Sequence, residues 1–138
     1  MVSGGEIVGD ELVSEVWRLD PATLQWVPMS ALVAGRRHHA CCLVRKTLVV
    51  LGEIIEDGEG NTSKVEILSG GQDRVFTDFP TFSCGGIVAT IIAVEENDSA
   101  AGQVLVLGGC DEEDAVLLTV HLVDLATGVC SHAAGCPP

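Results

Sequence analysis

Leu48-Val49-Val50-Leu51-Gly52-Glu53 and Val104-Leu105-Val106-Leu107-Gly108-Gly109 are the two segments on which the fold turns. Each is a run of four apolar residues that ends on glycine. A short run of this kind, rich in valine and closed by glycine, reads as a strand entering a turn rather than as part of a helix. The two glycines lie 108 − 52 = 56 residues apart, and Gly4 of the opening Gly4-Gly5 pair lies 52 − 4 = 48 before the first of them. A second echo follows each glycine. Val16-Trp17-Arg18-Leu19-Asp20-Pro21-Ala22-Thr23, Val65-Glu66-Ile67-Leu68-Ser69-Gly70-Gly71-Gln72 and Val120-His121-Leu122-Val123-Asp124-Leu125-Ala126-Thr127 set Asp20, Ser69 and Asp124 at spacings of 69 − 20 = 49 and 124 − 69 = 55. Two echoes with matching periods mark an internal repeat, and a repeat decides architecture before local structure does.

Strands are readable inside one period. His39 to Val44 and Thr47 to Leu51 form a hairpin tipped by Arg45-Lys46. A polar loop from Glu53 to Ser63 leads to a third strand at Lys64 to Leu68. After a Gly70-Gly71 turn, Val75 to Phe79 makes a fourth. The next period repeats the pattern with Ile87 to Val94, Val104 to Leu107, Val120 to Val123 and a weak strand near Val129. Its greater length comes from a polar insertion, Glu95 to Gly102, at a turn. Leu12 to Leu19 is the one stretch where a short helix competes.

Composition agrees with short buried strands and tight turns. Of 138 residues, 47% are hydrophobic and 16 are glycine, with no tyrosine at all. Seven basic against 20 acidic residues leave a net charge of −13. Such a chain repels polyanions, so a nucleic-acid or anionic-membrane partner is not expected. The acids gather in loop-like runs at Glu53 to Glu59, Glu95 to Asp98 and Asp111 to Asp114. Four of the seven basic residues, Arg36, Arg37, Arg45 and Lys46, fall within one stretch of eleven. The first ten residues carry no basic start followed by an apolar stretch, and no apolar run reaches the roughly 20 residues that span a bilayer. The expectation is an intracellular protein, cytoplasmic or nuclear, in which the six cysteines are reduced thiols.

Four antiparallel strands in about 50 residues is the pattern of a propeller blade. Here the chain resembles the kelch family. Gly108-Gly109 is similar to the family's glycine pair, and Asp20-Pro21-Ala22-Thr23-Leu24-Gln25-Trp26 is similar to its acidic turn followed by Trp. Arg37-His38-His39 looks like the family's Arg-x-x-His opening of a blade, loosely matched. Glu53 replaces the second glycine in the middle repeat. Leu19, Leu68 and Val123 stand where the family usually has Tyr, and Val75 and Cys130 stand at the counterparts of Trp26. The resemblance implies an all-β fold: an incomplete kelch-type propeller of four-stranded antiparallel blades, with a half blade at 1–30, blades at 31–82 and 83–132, and a tail at 133–138. The repeat positions are Gly4, Gly5, Gly52, Gly108, Gly109, Asp20, Trp26 and Asp124. Closure takes at least four blades, on the order of 200 residues. The chain therefore reads as an open arc, a fragment or truncated product, and open blade edges invite self-association.

Strong catalytic signatures are absent from the sequence. His39 and Cys41 share one face of a strand while Ala40 and Cys42 share the other, so His38-His39-Ala40-Cys41-Cys42 does not converge on a metal. Cys130, His132 and Cys136 lie on a tail. Asp57, Glu59 and Asn61 start like a calcium loop, but Thr62 and Leu68 occupy its glycine and bidentate-Glu places. No metal, cofactor or catalytic residue is expected. The resemblance implies a non-catalytic protein-interaction module, such as the substrate-recognition part of a ubiquitin-ligase adaptor. Its binding loops are Pro28 to Arg37, Glu53 to Ser63 and Cys110 to Thr119. The candidate contacts are Arg36, Arg37, His38, Glu53, Glu56, Asp57, Asp111, Glu112 and Glu113, and the expected partner is a protein of basic or mixed charge. Two alternatives remain: a fragment of a propeller enzyme, a sugar epimerase or lyase-like protein using Arg37, His38 and His39 for acid–base work, or a truncated chain with no function.

Overall fold

A computed structural model describes residues 1–8, 11–56, 60–68, 77–78, 89–94, 100–111, 113 and 115–135. Among these the chain is all β, with thirteen strands and no helix. Sheet 1 joins β1 (Val2–Ser3), β4 (Val16–Asp20) and β5 (Gln25–Pro28) in that order. A two-stranded ribbon, β2 (Glu6–Ile7) with β3 (Glu11–Leu12), projects between β1 and β4. Sheet 2 runs β6 (Arg37–Val44), β7 (Thr47–Glu56), β8 (Gly60–Leu68), β9 (Thr77–Asp78). Sheet 3 runs β10 (Thr90–Val94), β11 (Gln103–Leu107), β12 (Thr119–Asp124), β13 (Cys130–Gly135). Every pairing is antiparallel and between strands consecutive within their sheet.

The three sheets stack face to face, with sheet 2 in the middle. Side chains alternate across a strand, and in β7 this alternation serves two cores. Leu48 and Val50 pack with Val16, Leu32 and Leu68 toward sheet 1. Val49 and Leu51 pack with Val44, Val65, Ala89, Ile91, Val104, Val106, Val123 and Leu125 toward sheet 3. A strand covered on both sides must be apolar throughout, which is why Leu48-Val49-Val50-Leu51 reads as an unbroken run. At the lower end of the stack, the Arg45 guanidinium donates to the carbonyl of Ala100 at 3.2 Å, tying the β6–β7 turn to the segment before β11. The 12–19 stretch contains no helix: Leu12 ends β3, and β4 begins at Val16.

The repeat is visible atom by atom at two places. Gly4 donates to the carbonyl of Glu15 and Gly108 to that of Thr119, both at 2.9 Å; Val13 donates back to Gly5 and Leu117 to Gly109 at 2.9 and 2.8 Å. Gly4 and Gly5 have φ of 58° and 122°, Gly108 and Gly109 of 61° and 101°. This left-handed backbone is what glycine supplies cheaply. The turns after β4 and β12 match as well. The Asp20 and Asp124 carboxylates accept from Ala22 and Ala126, each at 2.9 Å. Their carbonyls accept from Leu24 and Gly128, each at 2.8 Å. Both pairs of equivalents are separated by 108 − 4 = 124 − 20 = 104 residues.

The middle repeat departs from this pattern. Glu53 stands at the second glycine position, and a side chain there makes left-handed backbone costly. The strand does not turn. It continues with Gly52 opposite Lys64 and on to Glu56 opposite Gly60. The polar loop expected from Glu53 to Ser63 is therefore largely a β7–β8 ribbon, and β8 begins at Gly60 rather than Lys64. The last strand of sheet 3 is a full six residues. Of the expected fourth strand at Val75 to Phe79, Thr77–Asp78 pairs with β8. Val75, Phe79, Gly70, Gly71, Ile87 and residues 95–99 lie outside the described residues.

Leu24 takes the left-handed conformation, φ 54°, where its counterpart is Gly128 at 72°. Its side chain is exposed, so no packing compensates. Leu24→Gly is expected to stabilise the chain by about 1 kcal/mol, read as a higher urea midpoint at unchanged slope.

Candidate functional site

The connection from β5 to β6 passes between sheets 1 and 2, and at its end Arg36 is fully buried. A guanidinium stays charged at any working pH, so burying it demands an anion. Glu66 supplies one from β8, two residues before the strand ends, and it too is wholly buried. Arg36 Nη2 donates to Glu66 Oε1, and Nη1 donates to the carbonyl of Gly52 at 3.5 Å. The carboxylate also accepts backbone N–H groups from Val33 at 2.6 Å and Ala34 at 3.2 Å. The backbone of Arg36 joins the network. Its carbonyl accepts from Gly5 at 2.8 Å, and its N–H donates to Val13 at 3.3 Å. One ion pair thereby fixes the ribbon of sheet 1, the inter-sheet connection and two strands of sheet 2.

His39 lies beside it. A Cβ at Gly52 would land on the Cα and Cβ of His39, and a Cβ at Gly4 would come within 2.9 Å of its ring. His39 Nε2 is hydrogen-bonded to the Ser3 hydroxyl at 2.9 Å. Burial, reinforced by the Arg36 charge, pushes its pKa below the ordinary value, against an opposing hydrogen bond to Ser3. The pair has the outline of a serine–histidine dyad, but the buried Nδ1 meets no carboxylate. An orienting acid on that nitrogen is what sets tautomer and basicity in nucleophilic sites. The arrangement is that of a histidine wedged between two glycine-lined strands.

The other candidates separate. Arg36, expected as a loop contact, is internal: its charge is held by Glu66, and it has no surface to offer a partner. Arg37 is partly exposed and pairs with Glu6 at 2.9 Å. His38 is exposed, with φ 48°, at a bulge where β6 slips against β7. Glu53 and Glu56 sit on the β7 arm of the ribbon. Asp57 and Glu112 lie outside the described residues. The Asp111 carboxylate accepts from Glu113 and Ala115 N–H at 3.0 and 2.9 Å, so it shapes its own loop. Glu113 is exposed. Sequence reading missed Glu66, although an acid inside Val65-Glu66-Ile67-Leu68 is itself a signal: such a residue needs a buried partner.

Ala40 and Cys42 pack on the core toward sheet 3 while Cys41 is exposed, the alternation expected of the strand. Burial, with Cys41 as a neighbour, pushes the Cys42 thiol up to about 11. Cys130 is disulfide-bonded, its partner lying outside the described residues. The reading of six reduced thiols is corrected at this position, while Cys41, Cys42 and Cys110 are free thiols. Among the described residues no group of three His, Cys, Asp or Glu side chains is placed to hold a metal, and no helix is long and apolar enough to cross a membrane.

Three hairpins among the described residues lie at the upper ends of the sheets. The β2–β3 ribbon follows Gly4-Gly5, the β7–β8 ribbon follows Gly52, and a turn closed by the Cys110–Val116 bridge follows Gly108-Gly109. They carry Glu6, Glu11, Glu53, Glu56, Asp111 and Glu113, with Arg37 as the adjacent cation. No known family model matches the chain, and no curated protein matches it either.

Arg36→Met leaves the Glu66 carboxylate buried without its cation and is expected to cost about 3–5 kcal/mol, read from urea unfolding. R36M/E66L is not expected to return to wild type, because the N–H groups of Val33 and Ala34 lose their acceptor at about 1–3 kcal/mol each. His39 gives a pH dependence. Its pKa is lower folded than unfolded, so the unfolded chain binds the proton more readily and stability falls as pH drops below the ordinary 6.5. Between pH 7.5 and 5.5, H39Q should lose less stability than wild type, and equal slopes would place the proton elsewhere.

Proposed function

We propose that the chain is a non-catalytic protein-interaction module built from kelch-like propeller blades, with sheet 1 as a partial blade and sheets 2 and 3 as fuller ones. The observation that carries this reading is the position of three acidic hairpins at the same end of the stack. Supporting the family part are the two Gly-Gly turns and two Asp turns with matching hydrogen bonds 104 residues apart. A rigid stack that presents short loops at one edge is a common way to build a binding surface. Clustered carboxylates favour a partner of basic or mixed charge through faster encounter and exclusion of acidic competitors. Substrate recognition within a ubiquitin-ligase adaptor is one setting for such a surface. The enzyme alternative, with Arg37, His38 and His39 for acid–base work, is weakened because Arg37 is paired with Glu6 and His39 Nδ1 meets no carboxylate.

Glu11 and Glu113 are exposed and belong to different hairpins. The full-length chain, used as bait, is expected to capture protein partners through basic segments, and E11K/E113K to retain them at least tenfold less. Equal capture by the variant would remove the hairpins as the binding surface. A carbohydrate epimerase or lyase activity that disappears with His39→Ala would replace this reading with the enzymatic one.

A further inference from the structure

Among the described residues no sheet packs on the outer face of sheet 1 or of sheet 3, and the repeat says what belongs on each. With Gly52 equivalent to Gly108, Val49 and Leu51 of β7 correspond to Leu105 and Leu107 of β11. With Ser69 equivalent to Asp124, Val65 and Ile67 of β8 correspond to Val120 and Leu122 of β12. The four sheet 2 residues form the face that sheet 3 covers. Their counterparts form the outer face of sheet 3, where the register sets Ile92 opposite Leu105 and Leu105 opposite Leu122. Ile92 is 49% exposed, and its counterpart in β6, Cys42, is packed into the core between sheets 2 and 3.

The outer face of sheet 1 is of the complementary kind. Trp17 and Leu19 correspond to Glu66 and Leu68 of β8, which face the preceding sheet and are buried by it. In sheet 1 they stand beside Trp26, which lies directly opposite Leu19, and the two tryptophans are 37% and 51% exposed. One end of the stack thus shows the face that elsewhere receives a following sheet, and the other shows the face that elsewhere receives a preceding one. These surfaces continue the two interfaces already formed inside the chain.

We propose that two copies of this chain associate head to tail, the outer face of sheet 3 in one copy packing on the Trp17–Leu19–Trp26 face of the other. A head-to-tail contact either closes or propagates. Two copies of the three described sheets give 3 + 3 = 6, inside the range of about four to eight sheets at which radial stacks close; three copies give nine, outside it. The association uses faces and leaves strand edges aside. It rests on the repeat assignment made above but not on the acidic hairpins, so E11K/E113K should assemble as wild type does even if it binds no partner.

The test is sedimentation of the full-length chain together with two exposed-face variants, Leu19→Lys and Ile92→Glu. Wild type is expected at twice the 14.4 kDa chain mass, and each variant alone at the single-chain mass with an unchanged β-sheet circular dichroism spectrum. Mixing the two variants is expected to restore the doubled mass, since one contributes an intact sheet 3 face and the other an intact sheet 1 face. Both tryptophans of the chain lie on the sheet 1 face, so emission should move to shorter wavelength on dilution-reversible assembly and stay red-shifted in L19K. A single-chain mass for wild type would overturn the proposal, as would open-ended oligomers. Doubling that survives in either variant alone would also overturn it, because face-to-like-face pairing leaves one variant able to dimerise.

Discussion

The structure depends on the ion pair between Arg36 and Glu66, which lies between sheets 1 and 2 where hydrophobic contacts alone would leave the packing unspecific. Two opposite charges removed from water gain little net stability over an apolar pair of the same volume. What they add here is position. The carboxylate reaches the guanidinium and two backbone N–H groups only if the connection from β5 crosses sheet 2 at one place, and the carbonyl of Arg36 reaches Gly5 only if the β2–β3 ribbon lies over it. Leu48, Val50, Val16 and Leu68 bury apolar surface around this point and tolerate several offsets. The polar network tolerates one.

The second constraint is close approach. Gly52 admits the backbone of His39, and Gly4 admits its ring beneath the Arg36 carbonyl. Burial and the nearby Arg36 charge consequently lower the pKa of this half-buried histidine, with no orienting acid on Nδ1. The same residue types that attract a catalytic reading from sequence become, in this setting, part of the seam between two sheets. Glu11 and Glu113 on the hairpins are exposed, whereas the charges of Arg36 and Glu66 are paired inside the framework.

The middle repeat shows how one residue redirects local structure without disturbing the stack. Glu53 in place of glycine keeps the chain extended and lengthens β7 and β8 into a ribbon, yet Val49, Leu51 and Val65 still meet sheet 3. Stacking is set by alternation along the lower part of each strand. The upper ends vary more: β7 and β8 run on as a ribbon where sheets 1 and 3 turn at Gly4-Gly5 and Gly108-Gly109. Hairpin length and packing surface are therefore separable, as Glu53 shows by lengthening one without displacing the other.

The linear pattern already contained the all-β class, the repeat and most strand positions, because alternation, glycine punctuation and Asp turns are short-range properties written within a few residues. It also placed Ala40 and Cys42 on one face and Cys41 on the other. The burial of Arg36, the part played by Glu66, the Ser3–His39 contact and the disulfide at Cys130 came only with the tertiary structure. The reason is distance along the chain. Arg36 and Glu66 are 30 residues apart, and Ser3 and His39 are 36 apart. Nothing local distinguishes a charge that will be buried by another strand from one that will face water.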